Sequence, residues 1–137
     1  MTNDPLVDSD AFVGRMYPDD VHHQRAKHIF KSLEGQGKLL VTTSLVTGEA
    51  ATVLSHRKGQ SLARAFLELI EKARLPVIHV TEELQEEAIS IFKKQDTRGT
   101  SVTDCANVAA ARRFYIPTIF GFDKVYPKSF GLELVSD

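Results

Sequence analysis

Apolar residues fall along this chain in short unbroken runs, separated by longer stretches with helical spacing. The runs at 5–7, 39–42, 76–80 and 116–122 are too short for helices and too continuously apolar for half-exposed strands. They read as strands buried on both faces. A fifth short strand is placed at 133–135. Between the first two runs, residues 13–18 read as a loop or short helical turn. Asp19 or Asp20 then caps a helix in which Val21, Ala26, Ile29, Phe30 and Leu33 recur at about 3.6 residues. Gly35 and Gly37 stop it. Thr43 or Ser44 caps a helix running to about Arg57. Gly59 and Gln60 break it, and Ser61 opens another with Leu62, Phe66, Leu69 and Ile70 inward. Thr81 caps a helix with acids in its first turn and an inner stripe of Leu84, Ala88, Ile91 and Phe92. A loop over 96–100 leads to a helix capped by Ser101 and ending near Phe114.

Buried strands alternating with helices predict a three-layer α/β/α sandwich around a mainly parallel sheet of four to five strands. Parallel neighbours need right-handed crossovers, which the helices supply. In such sheets the functional cleft lies beyond the carboxyl ends of the strands.

The 137 residues predict one domain over 1–137, large enough to hide roughly two thirds of its unfolded surface. The net charge of −1 gives no global basic field for nucleic acid, but it permits a local basic rim. A single cysteine, Cys105, rules out an internal disulfide and suits the reducing cytoplasm. No apolar run approaches a membrane span, and the polar, acidic N-terminus does not read as a signal peptide.

Four acids stand where the pattern has no place for them. An apolar run leads directly into Asp8. Glu49 shares a helical face with Leu45 and Val53, beside Val46, Ala50 and Leu54. Asp104 shares a face with Val108 and Ala111 in a helix full of alanine, whose small side chains allow close packing on a sheet. Asp123 ends the run 119–122. Each has a structural explanation of its own. Asp8 and Asp123 suit turns, Glu49 an edge position or salt bridge, and Asp104 a capping box with Ser101. Together they predict one pocket, because carboxylates inside an apolar pattern are costly unless paired or metal-bound. Clustered carboxylates repel, so some should hold protons when no cation is present. Asp10 is the weaker candidate, read as pointing elsewhere if the strand continues.

The segments carrying these acids resemble the PIN-domain family, and within it the small VapC-type toxin ribonucleases. The matching pieces are Leu6-Val7-Asp8-Ser9-Asp10-Ala11-Phe12-Val13, Thr43-Ser44-Leu45-Val46-Thr47-Gly48-Glu49, Ser101-Val102-Thr103-Asp104-Cys105-Ala106 and Phe120-Gly121-Phe122-Asp123-Lys124-Val125-Tyr126. The resemblance implies Mg2+ or Mn2+ held by Asp8, Glu49, Asp104 and Asp123. It further implies RNA cleavage by in-line attack, leaving a 5′-phosphate. A small antitoxin whose basic side chain reaches the acidic pocket, and a homodimer, follow from the same resemblance. The chain departs from the pattern twice. Members often carry Thr or Ser two residues before the last acid, where Gly121 stands here. Many carry a small aliphatic residue or Ser where this chain has Asp10.

Arg15, Arg98, Arg112, Arg113 and Lys124 lie near these motifs and are candidate phosphate contacts, although each also suits solvated surface. Tyr17, Phe12 and Tyr126 are candidates for stacking on unpaired bases, with core packing the better role for Phe12. His22, His23 and His28 lack the spacing and partners of a zinc site. Two alternatives stay open. One is a PIN-like domain that binds RNA or protein without cutting. The other is a signalling receiver domain, which fits poorly because the third strand is followed by His79-Val80-Thr81 rather than an acceptor Asp.

Overall fold

A computed structural model describes residues 4–96 and 98–136. The extreme N-terminus and Thr97, in the expected 96–100 loop, lie outside the described residues. Among the described residues five strands are formed: β1 (Leu6–Val7), β2 (Thr42–Thr43), β3 (Val77–Ile78), β4 (Thr118–Phe120) and β5 (Glu133–Leu134). Seven helices accompany them among the described residues: α1 (Ser9–Met16), α2 (His23–Gly35), α3 (Ser44–Arg57), α4 (Gln60–Ala73), α5 (Glu82–Lys93), α6 (Val102–Arg113) and α7 (Val125–Phe130).

All strand pairs are parallel. β1, β4 and β5 form one ladder, and β2 and β3 another. A parallel bridge from Leu6 to Val41 joins the two, backed by the Val7 N–H to Val41 carbonyl bond at 2.7 Å. The order across the sheet is therefore β3-β2-β1-β4-β5. The chain leaves β1 in one direction through β2 and β3, then crosses back to β4 and β5. The order thus reverses beside β1, and the crevice at such a reversal is where open α/β sheets bind ligands.

The pleat sorts neighbouring strand residues into two cores. Leu6 and Ile119 enter one with Ala88, Cys105, Val108, Tyr126 and Phe130, under α5, α6 and α7. Val7 and Phe120 enter the other with Phe12, Ile29, Val46, Leu54 and Phe66, under α1 to α4. Each such side chain stabilises the fold by roughly 1.5–3 kcal/mol relative to exposure. The expected three-layer sandwich is the one observed.

Several elements differ from expectation. The strands are shorter than their apolar runs, and β2 is also displaced, starting at Thr42, the last residue of its run, with Leu39 71% exposed. Residues 13–16 belong to α1, which begins directly after β1. Asp8 itself caps it, its side chain accepting the Ser9 N–H. The second helix starts later than expected, at His23, leaving Val21 88% exposed. Leu69 and Phe92, expected inward, are substantially exposed. α7 has no counterpart in the apolar pattern; it stops at Gly131 in the left-handed conformation, which suits glycine. Among the described residues no helix is long and apolar enough to cross a membrane.

A carboxylate pocket at the strand ends

Asp8 ends β1 and is buried. Its Oδ1 accepts from the Ser9 backbone at 2.7 Å and from Asn107 Nδ2 at 3.1 Å; its Oδ2 accepts from the Tyr126 hydroxyl at 2.7 Å. Asp104 comes from the first turn of α6. One of its oxygens closes the capping box with Ser101, and the other faces Tyr126 Oη at 3.2 Å. Capping and site placement therefore coexist in one side chain. Tyr126 is the bridge. A hydroxyl has one proton and cannot donate fully to two carboxylates, so this geometry favours a proton on one of the acids.

The electrostatics agree. Burial pushes Asp8 up to about 7, with a further push from Asp10 and a smaller one from Asp104, against hydrogen bonds from Tyr126 and Ser9. Burial also pushes Asp10 up to about 6, opposed by the Phe122 N–H and His22 and reinforced by the charge of Asp123. Asp104 is raised by burial first and by Asp123 as well, against its bonds to Ser101. The Tyr126 hydroxyl, buried between two acids, is held well above its ordinary value.

The structure brings Asp8, Asp104 and Asp123 into one electrostatic neighbourhood and adds Asp10 to it. The spacing gives no ground for setting Asp10 apart, since residues two apart share a strand face, and β1 in any case stops at Val7, leaving Asp10 in the first turn of α1. Asp10 Oδ2 accepts from the Phe122 backbone at 2.9 Å. Its Oδ1 is buried without a hydrogen-bond partner. Asp123 is exposed at the rim and accepts the Val125 N–H at 2.9 Å, so it also fills the turn role. Glu49 is half-buried on α3 and reaches the group through a hydrogen bond from the Ser9 hydroxyl, next to Asp8.

Two members have no forecast in the sequence. Asn107, fully buried, donates to both Asp8 and Tyr126, while its carbonyl accepts from Thr43, the cap of α3. A polar residue one turn after Asp104 in an alanine-rich helix was the available signal. Tyr126, a stacking candidate, is instead fully buried at the heart of the pocket.

The basic candidates divide. Arg98 and Lys124 line a hollow of about 200 Å³ together with Asp123, Thr100 and Lys128. Arg15 is exposed in the last turn of α1. Arg112 and Arg113 lie at the opposite end of α6 from Asp104, about 12 Å along the helix. Arg113 is engaged there by Glu83 at 3.2 Å and Glu87 at 3.5 Å, so nearness in sequence did not bring this pair to the acids. On the other side of the acids, a cleft of about 550 Å³ runs from Ser9 and Asp10 past Tyr17 and His22 to Arg57. Phe12 is core.

The donor set is all oxygen, which suits a hard divalent cation such as Mg2+ or Mn2+. The unpartnered buried Asp10 Oδ1 and the raised carboxyls are what a cation would relieve. Among the described residues, no three acids, histidines or cysteines are already drawn into a coordination shell; the acids are linked by Tyr126, Asn107 and Ser9.

Residues 6–128 match the model of the PIN domain. The chain is 28% identical over 118 residues to the 23S rRNA-specific endonuclease VapC20 of Mycobacterium tuberculosis, covering 86% of this chain and 88% of that protein. The crystal structure of M. tuberculosis VapC20, a sarcin–ricin-loop-cleaving toxin, superposes with a TM-score of 0.81 at 26% identity, covering 91% of this chain and 95% of that one. VapBC2 from Rickettsia felis, bound to a promoter DNA fragment, shares the fold at a TM-score of 0.69 and 14% identity, covering 95% and 96% of the two chains.

Proposed function

Because the chain belongs to the PIN-domain family, we propose that it is a divalent-metal-dependent endoribonuclease and the toxin of a toxin–antitoxin pair. The observation that carries this reading is the Tyr126 bridge, which ties Asp8 to Asp104 across the reversal in strand order. Asp8, Asp104 and Asp123 hold Mg2+ or Mn2+, and Glu49 either joins them or orients the attacking water. The cation supplies positive charge opposite the phosphodiester and makes water a better nucleophile. Tyr126 and Asn107 fix the Asp8 carboxyl, so the acids need not be ordered anew as substrate arrives.

An acidic pocket repels a polyanion, and the hollow holding Arg98, Lys124 and Lys128 offers the compensating phosphate contacts. Tyr17, in the larger cleft, is placed to stack on an unpaired base. The partners on this reading are RNA, a small antitoxin and a second copy of the chain, and the place of action is the cytoplasm. The sarcin–ricin loop of 23S rRNA is the substrate to try before others, given the M. tuberculosis relative.

A domain that binds RNA without cutting it is favoured by one observation, the absence of a ready coordination shell among the described residues. Total RNA incubated with the protein and Mn2+, with EDTA and Asp8→Asn as controls, separates the two. The expected result is Mn2+-dependent cleavage with 5′-phosphate ends, lost in both controls. RNA left intact by the wild type with Mn2+, the 23S loop included, refutes the nuclease.

A further inference from the structure

The two positions at which the chain departs from the family pattern it resembles meet in the pocket. A Cβ at Gly121 would stand 3.0 Å from Asp10 Oδ1 and 3.1 Å from Asp8 Cβ, closer than most side-chain packing allows. Backbone conformation does not require this glycine. Its φ is not among the positive values found at Gly37, Gly59, Gly99 and Gly131. What it supplies is room, and the Asp10 carboxyl occupies that room. The Phe122 N–H, at 2.9 Å from Oδ2, fixes the carboxyl's direction. The opposite oxygen is left buried beside Asp8 without a well-aligned donor, although the Ala11 N–H also lies near the carboxyl. A buried, unpartnered carboxylate oxygen is unfavourable unless something positive meets it.

We propose that Asp10 is a fifth carboxylate of the metal pocket, admitted by Gly121, its Oδ1 standing in for the hydroxyl that similar chains carry at the glycine's position. The inference rests on the metal reading above. A purely structural Asp10 would serve only to receive the Phe122 N–H and to place an acid in the first turn of α1. Asn in its place keeps the acceptor and the size but removes the charge, which separates the two roles.

Mn2+ binding to the full chain, measured by titration calorimetry and by the electron paramagnetic resonance of free Mn2+, reads this without reference to cleavage. Asp10→Asn is expected to weaken Mn2+ binding about tenfold or more, the scale on which groups supporting a metal act. Gly121→Ser is expected to weaken it similarly by displacing the Asp10 carboxyl. With Asp10→Ser measured alongside, the double variant D10S/G121S should bind more tightly than the product of the Asp10→Ser and Gly121→Ser losses. Asp10→Asn binding within twofold of wild type, or losses that simply multiply in the double variant, overturns the proposal. Asp8→Asn is the control for the underlying reading. If wild type binds Mn2+, Asp8→Asn does not, and Asp10→Asn does, only the role of Asp10 falls. If wild type and Asp8→Asn bind alike, the metal pocket falls and Asp10 with it. Melting curves in EDTA confirm folding, and the near-isosteric Asp10→Asn decides the matter even if Gly121→Ser fails to fold.

Discussion

Replacing Asp8 with Asn should stabilise the metal-free protein at pH 8 while disabling it. Asp8 is pushed up to about 7 in the fold from an ordinary value of 3.8. A raised carboxyl means that the folded chain holds a proton the unfolded chain has released. Stability from this group is therefore fully present below pH 4, falls as pH rises through the interval to 7, and is gone above it. About three units at 1.36 kcal/mol each give a ceiling of about 4 kcal/mol. Asn removes the charge but also changes the hydrogen bonding. Its carbonyl can keep the Ser9 and Asn107 donors. Its amide then faces Tyr126 Oη, which must accept rather than donate, and the hydroxyl proton can turn wholly to Asp104. One rearranged hydrogen bond costs about 1 kcal/mol. A net gain of roughly 1–3 kcal/mol remains, the repulsion from Asp10 being already contained in the raised Asp8 value. Urea unfolding in EDTA at pH 4, 6 and 8 measures this directly. The reasoning fails if Asp8→Asn is no more stable than wild type at pH 8, or if its advantage does not shrink towards pH 4.

Two further outcomes follow from the same pocket. Mn2+ should raise the melting temperature more at pH 8 than at pH 5, because protons compete for the same carboxylates. At a hundredfold excess over the dissociation constant the shift should be roughly 5–10 °C, and a shift independent of pH in a thermal melt would count against carboxylate binding. Tyr126→Phe removes the hydroxyl between Asp8 and Asp104 and should cost about 1–3 kcal/mol in urea unfolding. A midpoint unchanged from wild type would mean the bridge contributes nothing.

The layering was legible because parallel strands buried on both faces leave unbroken apolar runs, and their order in the chain alternates with well-capped helices. Thr43, Thr81 and Ser101 cap their helices as expected, each accepting a backbone N–H three residues on. Asp8, Glu49, Asp104 and Asp123 stood out because an acid interrupting an apolar run is visible in one dimension. Strand ends were not visible, since apolar character persists where the ladder stops. Setting Asp10 apart has no support even in a continued strand, where residues two apart share a face, and the position is already helical. Tyr126 was hidden for a different reason. α7 has six residues including Pro127, too few to show a period, and a lone tyrosine there reads as surface. Arg112 and Arg113 show the converse, a helix carrying sequence neighbours of Asp104 away from it.

Tyr126 lies 118 residues from the aspartate it holds, and it rides on the short helix α7. Until that short helix docks, no hydroxyl spans Asp8 and Asp104, although Asn107 already reaches Asp8 from α6. A chain in which α7 has not docked accordingly lacks the bridge. Completion of the acid cluster thus coincides with the docking of α7, so cluster and fold are made in one step.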